Sequence, residues 1–119
     1  MSKFSLLEKF EKVKEYWDPK IVAEFNDQQM RIARLKGEFV WHSHDDEDEV
    51  FMVLEGDLKI ELRDQVISMS AGEVFVVPRG VEHRPVAANE VKVLLIEPAS
   101  TVNTGSVTSE LTRSDLEKI

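Results

Sequence analysis

The spacing of hydrophobic positions changes once along the chain. Leu6, Phe10, Val13 and Trp17 recur at intervals of four and three, and Ser5 followed by Glu8 has the form of a capping box, so the pattern predicts an amphipathic helix over 6–17. Asp18-Pro19 ends it, since the residue before a proline is driven out of the helical region. From Ile21 to Pro98 the apolar runs become short and are punctuated by turn residues: QQMRIARL, EFVWHSH, EVFMVLEG, DLKIEL, VISM, EVFVVP, HRPVAA and VKVLLIE. Closely spaced short strands predict an all-β sandwich or closed antiparallel barrel rather than alternating strands and helices. The remaining stretch, 99–119, is rich in Ser and Thr and reads as a tail, with TRSDLEKI a candidate for a final helical turn. The expected organisation is a helical segment at 1–19, a β-barrel at 20–98 and a tail at 99–119.

The strands differ in how they alternate. DLKIEL places Leu58, Ile60 and Leu62 on one face and Lys59, Glu61 and Arg63 on the other, as a half-exposed strand does. VFMVL, VFVV and VLLI are apolar on both faces, so their outer faces need a cover. Either the N-terminal helix or a second copy of the chain supplies it, and the homodimer is the expectation carried forward.

Composition narrows the class. At 119 residues and 42% hydrophobic the chain is sized for one domain. Fifteen Lys and Arg against 23 Asp and Glu give a net charge of -8, which opposes binding to nucleic acid or to an anionic membrane surface. There is no cysteine, hence no disulfide and no thiolate site, in keeping with a reducing cytoplasm. The opening is too interrupted by charge for a signal-peptide core, and no apolar run approaches the roughly 18 residues that span a bilayer.

The chemistry concentrates in HSHDDEDEVFMVLEG, residues 42–56. His42 and His44 are two apart, so on a strand both point to one face. Glu49 opens the next apolar run and shares its phase with Phe51 and Val53, whereas Asp45, Asp46, Glu47 and Asp48 read as a solvated turn. A carboxylate carried into an apolar interior costs several kcal/mol unless a positive charge goes with it. The third histidine, His83, follows the turn at Pro78 and Gly80. Either these histidines bond nearby carboxylates and cap a turn, or they converge with Glu49 on a cation.

These residues resemble the two motifs of the cupin superfamily. Gly37, His42-x-His44, Glu49 and Gly56 match the first, and Gly72, Pro78-x-Gly80 and His83 match the second, covering residues 37–83. The likeness is strongest to small single-domain bacterial cupins, some of which are described as similar to mannose-6-phosphate isomerase. Two positions depart from the pattern: Gly37 is one residue closer to the first histidine than usual, and Ala87 stands where the second motif often has Asn. The resemblance implies a double-stranded β-helix, or jelly roll, in which His42, His44, Glu49 and His83 hold one divalent metal. Three imidazoles and one carboxylate suit iron, manganese, nickel, cobalt, copper or zinc better than calcium or magnesium.

Four protein ligands would leave room on such a metal for a small molecule. Phe51 and Val53 are candidates for the pocket wall, and Arg31, Arg34 and Arg84 for anion clamps, each with an ordinary structural role as the alternative. No Ser-His-Asp arrangement or phosphate-cradling glycine loop appears. Three classes stay open: a metal-dependent enzyme, oxygenase or isomerase, acting on a small oxygenated metabolite; a non-catalytic binder of such a molecule; and a structural metal protein. A sugar-phosphate substrate is a minority reading, because the acidic run DDED opposes a dianion.

Overall fold

A computed structural model describes Ser2 to Ile119. The helical pattern at the start yields only one turn, α1 (Leu6–Lys9), followed by a 3-10 turn at Phe10–Lys12. Ser5 caps it as expected, accepting from the Glu8 amide at 3.3 Å. The helix expected over 6–17 stops early because its apolar residues do not share a destination. Phe10 and Val13 pack on one cluster with Val22, Ile32 and Leu94, whereas Trp17 joins another with Leu35 and Phe39. No single helix face serves both, and the chain turns at Trp17, whose φ of 58° lies in the left-handed region.

Seven strands follow: β1 (Lys20–Phe25), β2 (Gln28–Glu38), β3 (Glu49–Glu55), β4 (Leu58–Leu62), β5 (Val66–Met69), β6 (Val74–Val77) and β7 (His83–Pro98). Every pairing is antiparallel, in the order β1-β2-β7-β3-β6, with β4 joining β5 to β7. Strand β7 organises the molecule. HRPVAA and VKVLLIE, expected as two strands, run together through it, the first part pairing β4 and the second β3 while β2 runs along both. The architecture is the expected all-β jelly roll.

Strand β1 was not expected, because Ile21 and Val22 are buried in succession and a register shift between Ile21 and Ala23 interrupts the alternation. EFVWHSH, expected as a strand, contributes only Glu38 to β2, and beyond it makes a single bridge, His42 to His83. It is held by separate backbone bonds, Phe39 to Pro85 and His42 to His83 among them.

Alternation works as foreseen in β3, where Glu49, Phe51 and Val53 are buried and Val50, Met52 and Leu54 are half-buried on the opposite side. The outer side packs Met52, Leu54, Met30 and Ile96 against Phe10 and Val13, so the N-terminal segment covers that part of the sheet. It does not reach β6, where Val74 and Val76 are 57% and 47% exposed.

Residues after Pro98 form no helical turn, but they pack closely. Thr101, Asn103 and Thr104 are buried, and Lys118 bridges to Ile21. Gly105, at φ 59°, lies against the backbone of Ser43, where any Cβ would overlap the Ser43 carbonyl. This contact braces the loop that carries His44. No helix among the described residues is long and apolar enough to cross a membrane.

Candidate metal centre

Three segments bring the histidines and Glu49 together. The irregular segment after β2 carries His42 and His44, β3 begins with Glu49, and β7 begins with His83. Backbone bonds fix their mutual placement: the His42 and His83 amides each donate to the other's carbonyl at 3.1 and 2.9 Å, and the Gly80 amide donates to His44 O at 2.7 Å. The four side chains offer ligand atoms that all lie within 4.8 Å of one another, and all four residues are buried. Such a group could hold a metal ion.

The tautomers are arranged for it. His42 Nδ1 and His83 Nδ1 donate to the carbonyls of Val40 and Val81 at 2.9 and 3.0 Å, which turns each Nε2 inward as an unprotonated donor. His83 Nε2 lies 3.3 Å and His44 Nε2 3.7 Å from Glu49 Oε1. His44 has no hydrogen-bond partner at either ring nitrogen. Burial of a nitrogen pair without partners is costly unless something else satisfies it.

Electrostatics point the same way. Burial, aided by the neighbouring His83, lowers the pKa of His42 to about 3 and that of His44 to about 4, and burial lowers His83 as well. The imidazoles are therefore neutral at pH 7, the form that binds metal. Burial pushes the Glu49 carboxyl above its ordinary value, outweighing the Glu97 hydrogen bond and the more distant Arg31 charge, which act to lower it. The residues thus fit a divalent transition ion: three neutral nitrogens, one buried carboxylate and a shortage of positive charge.

Behind Glu49 lies a residue that the sequence reading did not single out. Glu97, 1% exposed, is close enough to Glu49 for each carboxyl to perturb the other. Arg31 Nη1 donates to Glu97 Oε1 at 2.9 Å. The same guanidinium donates to Gln29 Oε1 and to the carbonyls of Thr101 and Ala99. Burial and the charge of Glu49 hold Glu97 well above the usual carboxylate range. In sequence, Glu97 sits in the apolar run VLLIEP as the only acid, which was the available signal.

The other expected pocket residues separate. Phe51 lines a cavity that reaches His42 and Glu49, while Val53 is fully buried in the core away from it. That cavity is walled by Trp17, Leu35, Phe39, Leu95 and Asn103 among others, and its free space, mouth included, is about 380 Å³. None of the three arginines lines it. Arg34 lies outside, donating to the carbonyls of Phe10 and Val13 and to Glu90. Arg84 is tied to Glu38 and Glu61 at 2.8 and 2.7 Å. Of the acidic run, Asp48 accepts from the Arg79 amide and Glu47 from Ser100 at the surface, consistent with a solvated turn.

A jelly roll with three histidines and a glutamate gathered inside it defines a class of small β-barrel proteins built around a candidate metal site. The comparisons agree: residues 30–97 match the model of the cupin domain family, and the chain belongs to that family. It is 48% identical to a cupin-2 domain containing protein from Shewanella frigidimarina, with a TM-score of 0.79 over 80% of this chain and 93% of that one. The structure of protein NMB1881 from Neisseria meningitidis aligns with a TM-score of 0.75 and 33% identity, covering 82% of this chain and 99% of the other. Uncharacterized protein YdbB of Bacillus subtilis is 41% identical over 64 residues, 53% of this chain, and the match spans only 57% of that relative.

Proposed function

We propose that this chain is a metal-dependent cupin that binds, and in its metal-loaded form acts on, a small oxygenated metabolite. His42, His44, Glu49 and His83 are the ligands of one divalent transition ion, drawn from iron, manganese, nickel, cobalt, copper and zinc. The observation that carries this reading is the uncompensated site itself: Glu49, 3% exposed, sits among neutral imidazoles while both ring nitrogens of His44 lack partners. A bound ion would supply a Lewis acid or, if redox-active, a centre for activating dioxygen. The protein's own part is to keep the imidazoles neutral and to hold Glu49 in place. It also keeps the apolar wall of Phe51 beside the ion.

Sugar-phosphate isomerisation is the weaker alternative, since Arg31, Arg34 and Arg84 are each paired elsewhere and cannot offset a dianion. A non-catalytic binder differs from an oxygenase in one measurable respect, oxygen uptake by the iron- or manganese-loaded protein with ligand present. The metal assignment is tested by elemental analysis. Native protein is expected to carry about one ion per chain, and Glu49→Gln or His44→Ala to lose affinity by more than the roughly 10–100-fold that removal of an outer partner costs. Unchanged metal content in both variants would overturn the reading.

The cytoplasmic location suggested by the cysteine-free composition belongs to this proposal, as does a homodimer. Val74 and Val76 on edge strand β6 are the candidate contact, being apolar, exposed and unpaired on one side. Light scattering is expected to give twice the 13.6 kDa chain mass, and Val76→Lys to return the monomer.

A further inference from the structure

We infer that the ligand of this site is a compact apolar molecule, preferably aromatic, whose only polar atoms are the two oxygens that meet the metal. The inference rests on the metal reading above and adds the class of molecule to it. The cavity beside His42 and Glu49 is walled mainly by carbon: Trp17, Leu35, Phe39, Phe51 and Leu95. Trp17 and Phe39 stack with ring centroids 4.8 Å apart and planes 21° from parallel.

The polar groups in that wall are already engaged. Trp17 Nε1 donates to Lys36 O at 2.9 Å, and His42 Nδ1 to Val40 O. Asn103 Nδ2 donates to Leu111 O and its Oδ1 accepts from the Arg113 amide, at 2.9 and 2.8 Å. A sugar hydroxyl entering here would give up its hydration and gain little in exchange. A phosphate or carboxylate tail would meet no cation, because none of the arginines lines the cavity. An aromatic tail loses nothing and covers apolar wall.

Three hydroxamates with the same chelating head test this on cobalt-loaded protein, with the visible cobalt spectrum as the readout. Benzohydroxamate is expected to bind about tenfold or more tighter than acetohydroxamate, from burial of its ring. Threonohydroxamate, similar in size to the benzo compound but polyhydroxylated, is expected to bind no tighter than acetohydroxamate. Ala33→Leu fills the cavity wall and should cut the benzo advantage to less than about threefold while leaving acetohydroxamate within about twofold. If that variant does not take up cobalt, Phe39→Leu, which removes an aromatic face, is read on the same ratio and should lower it. Tightest binding by threonohydroxamate, or equal binding by all three, would overturn the ligand class and leave the metal site standing. Failure of the wild-type protein to develop a cobalt spectrum would instead overturn the metal reading, and this inference with it.

Discussion

Two carboxyls lie side by side in the barrel under opposite conditions. Glu97 is 1% exposed and meets Arg31 at 2.9 Å, within a guanidinium shell completed by Gln29 and two carbonyls. Glu49 is 3% exposed and meets His44 and His83, which burial keeps neutral, and the Glu97 carboxyl, while Arg31 acts on it only at longer range. Arg31 bonds one acid directly and reaches the other only at longer range, and burial raises both. A domain that needed both acids only for stability would gain by pairing both, since an unpaired buried charge is among the most costly features a core can hold. That difference is what supports the proposal that Glu49 receives its counter-charge from a bound ion.

The largest effect is expected from removing the internal cation. Arg31→Met leaves Glu97 without its partner and is expected to cost about 3–5 kcal/mol in urea unfolding, with Arg31→Met/Glu97→Leu recovering most of it. A loss below about 1 kcal/mol would mean that Glu97 needs no counter-charge, and the contrast with Glu49 would disappear.

Acidity gives an intermediate effect that separates the two groups by sign. In metal-free protein the folded pKa values of His42 and His44, about 3 and about 4, lie below the ordinary 6.5. Between these values the unfolded chain binds more protons. The histidines' contribution, complete above about 6.5, is therefore lost as pH falls through about 4 and then 3, by several kcal/mol in all. Glu49 and Glu97 act oppositely. Their raised values make their contribution complete below the ordinary 4.5 and lost as pH rises through the folded values. Thermal melts of metal-free protein should therefore show a stability maximum on the acid side of neutrality. Adding zinc should move that maximum toward neutral pH, because the ion takes up the charge of Glu49. A maximum that stays put with zinc would show that Glu49 gains no counter-charge from the ion.

The smallest effect concerns the outlying cations. Arg84→Ala breaks partly exposed pairs to Glu38 and Glu61 and is expected to cost about 1 kcal/mol or less, with metal content unchanged. A loss of bound metal on this change would place Arg84 in the centre's support after all.

The site was more legible in the sequence than the fold's details. His42 and His44 are brought to one interior by their two-residue spacing even though their segment forms a single bridge instead of a strand, because an extended backbone suffices for that alternation. Glu49 could be told from the four acids before it by its phase with Phe51 and Val53. Gly37, a departure from the usual spacing, takes φ 87° beside the register shift that follows Leu35, so the backbone there still makes its turn. Ala87, the other departure, is wholly buried among apolar side chains. An amide there would require a partner that the apolar cluster does not offer.

Periodicity failed where neighbours in sequence serve different neighbours in space. Phe10, Val13 and Trp17 keep helical spacing yet divide between two clusters, and β1 is hidden by its bulge. The chain's sequence by itself determined the β class, the shared face of His42 and His44, the inward phase of Glu49 and the net negative charge, because these depend on local alternation and on charge count. Tertiary structure alone decided that Arg31 would serve Glu97 instead of a ligand, that Asn103 would reach the cavity with its amide already bonded, and that no Lys or Arg among the described residues would pair directly with Glu49. Those outcomes turn on which strands lie next to one another, and pairing between distant segments is set by the packing of the whole barrel, which no short window of residues records.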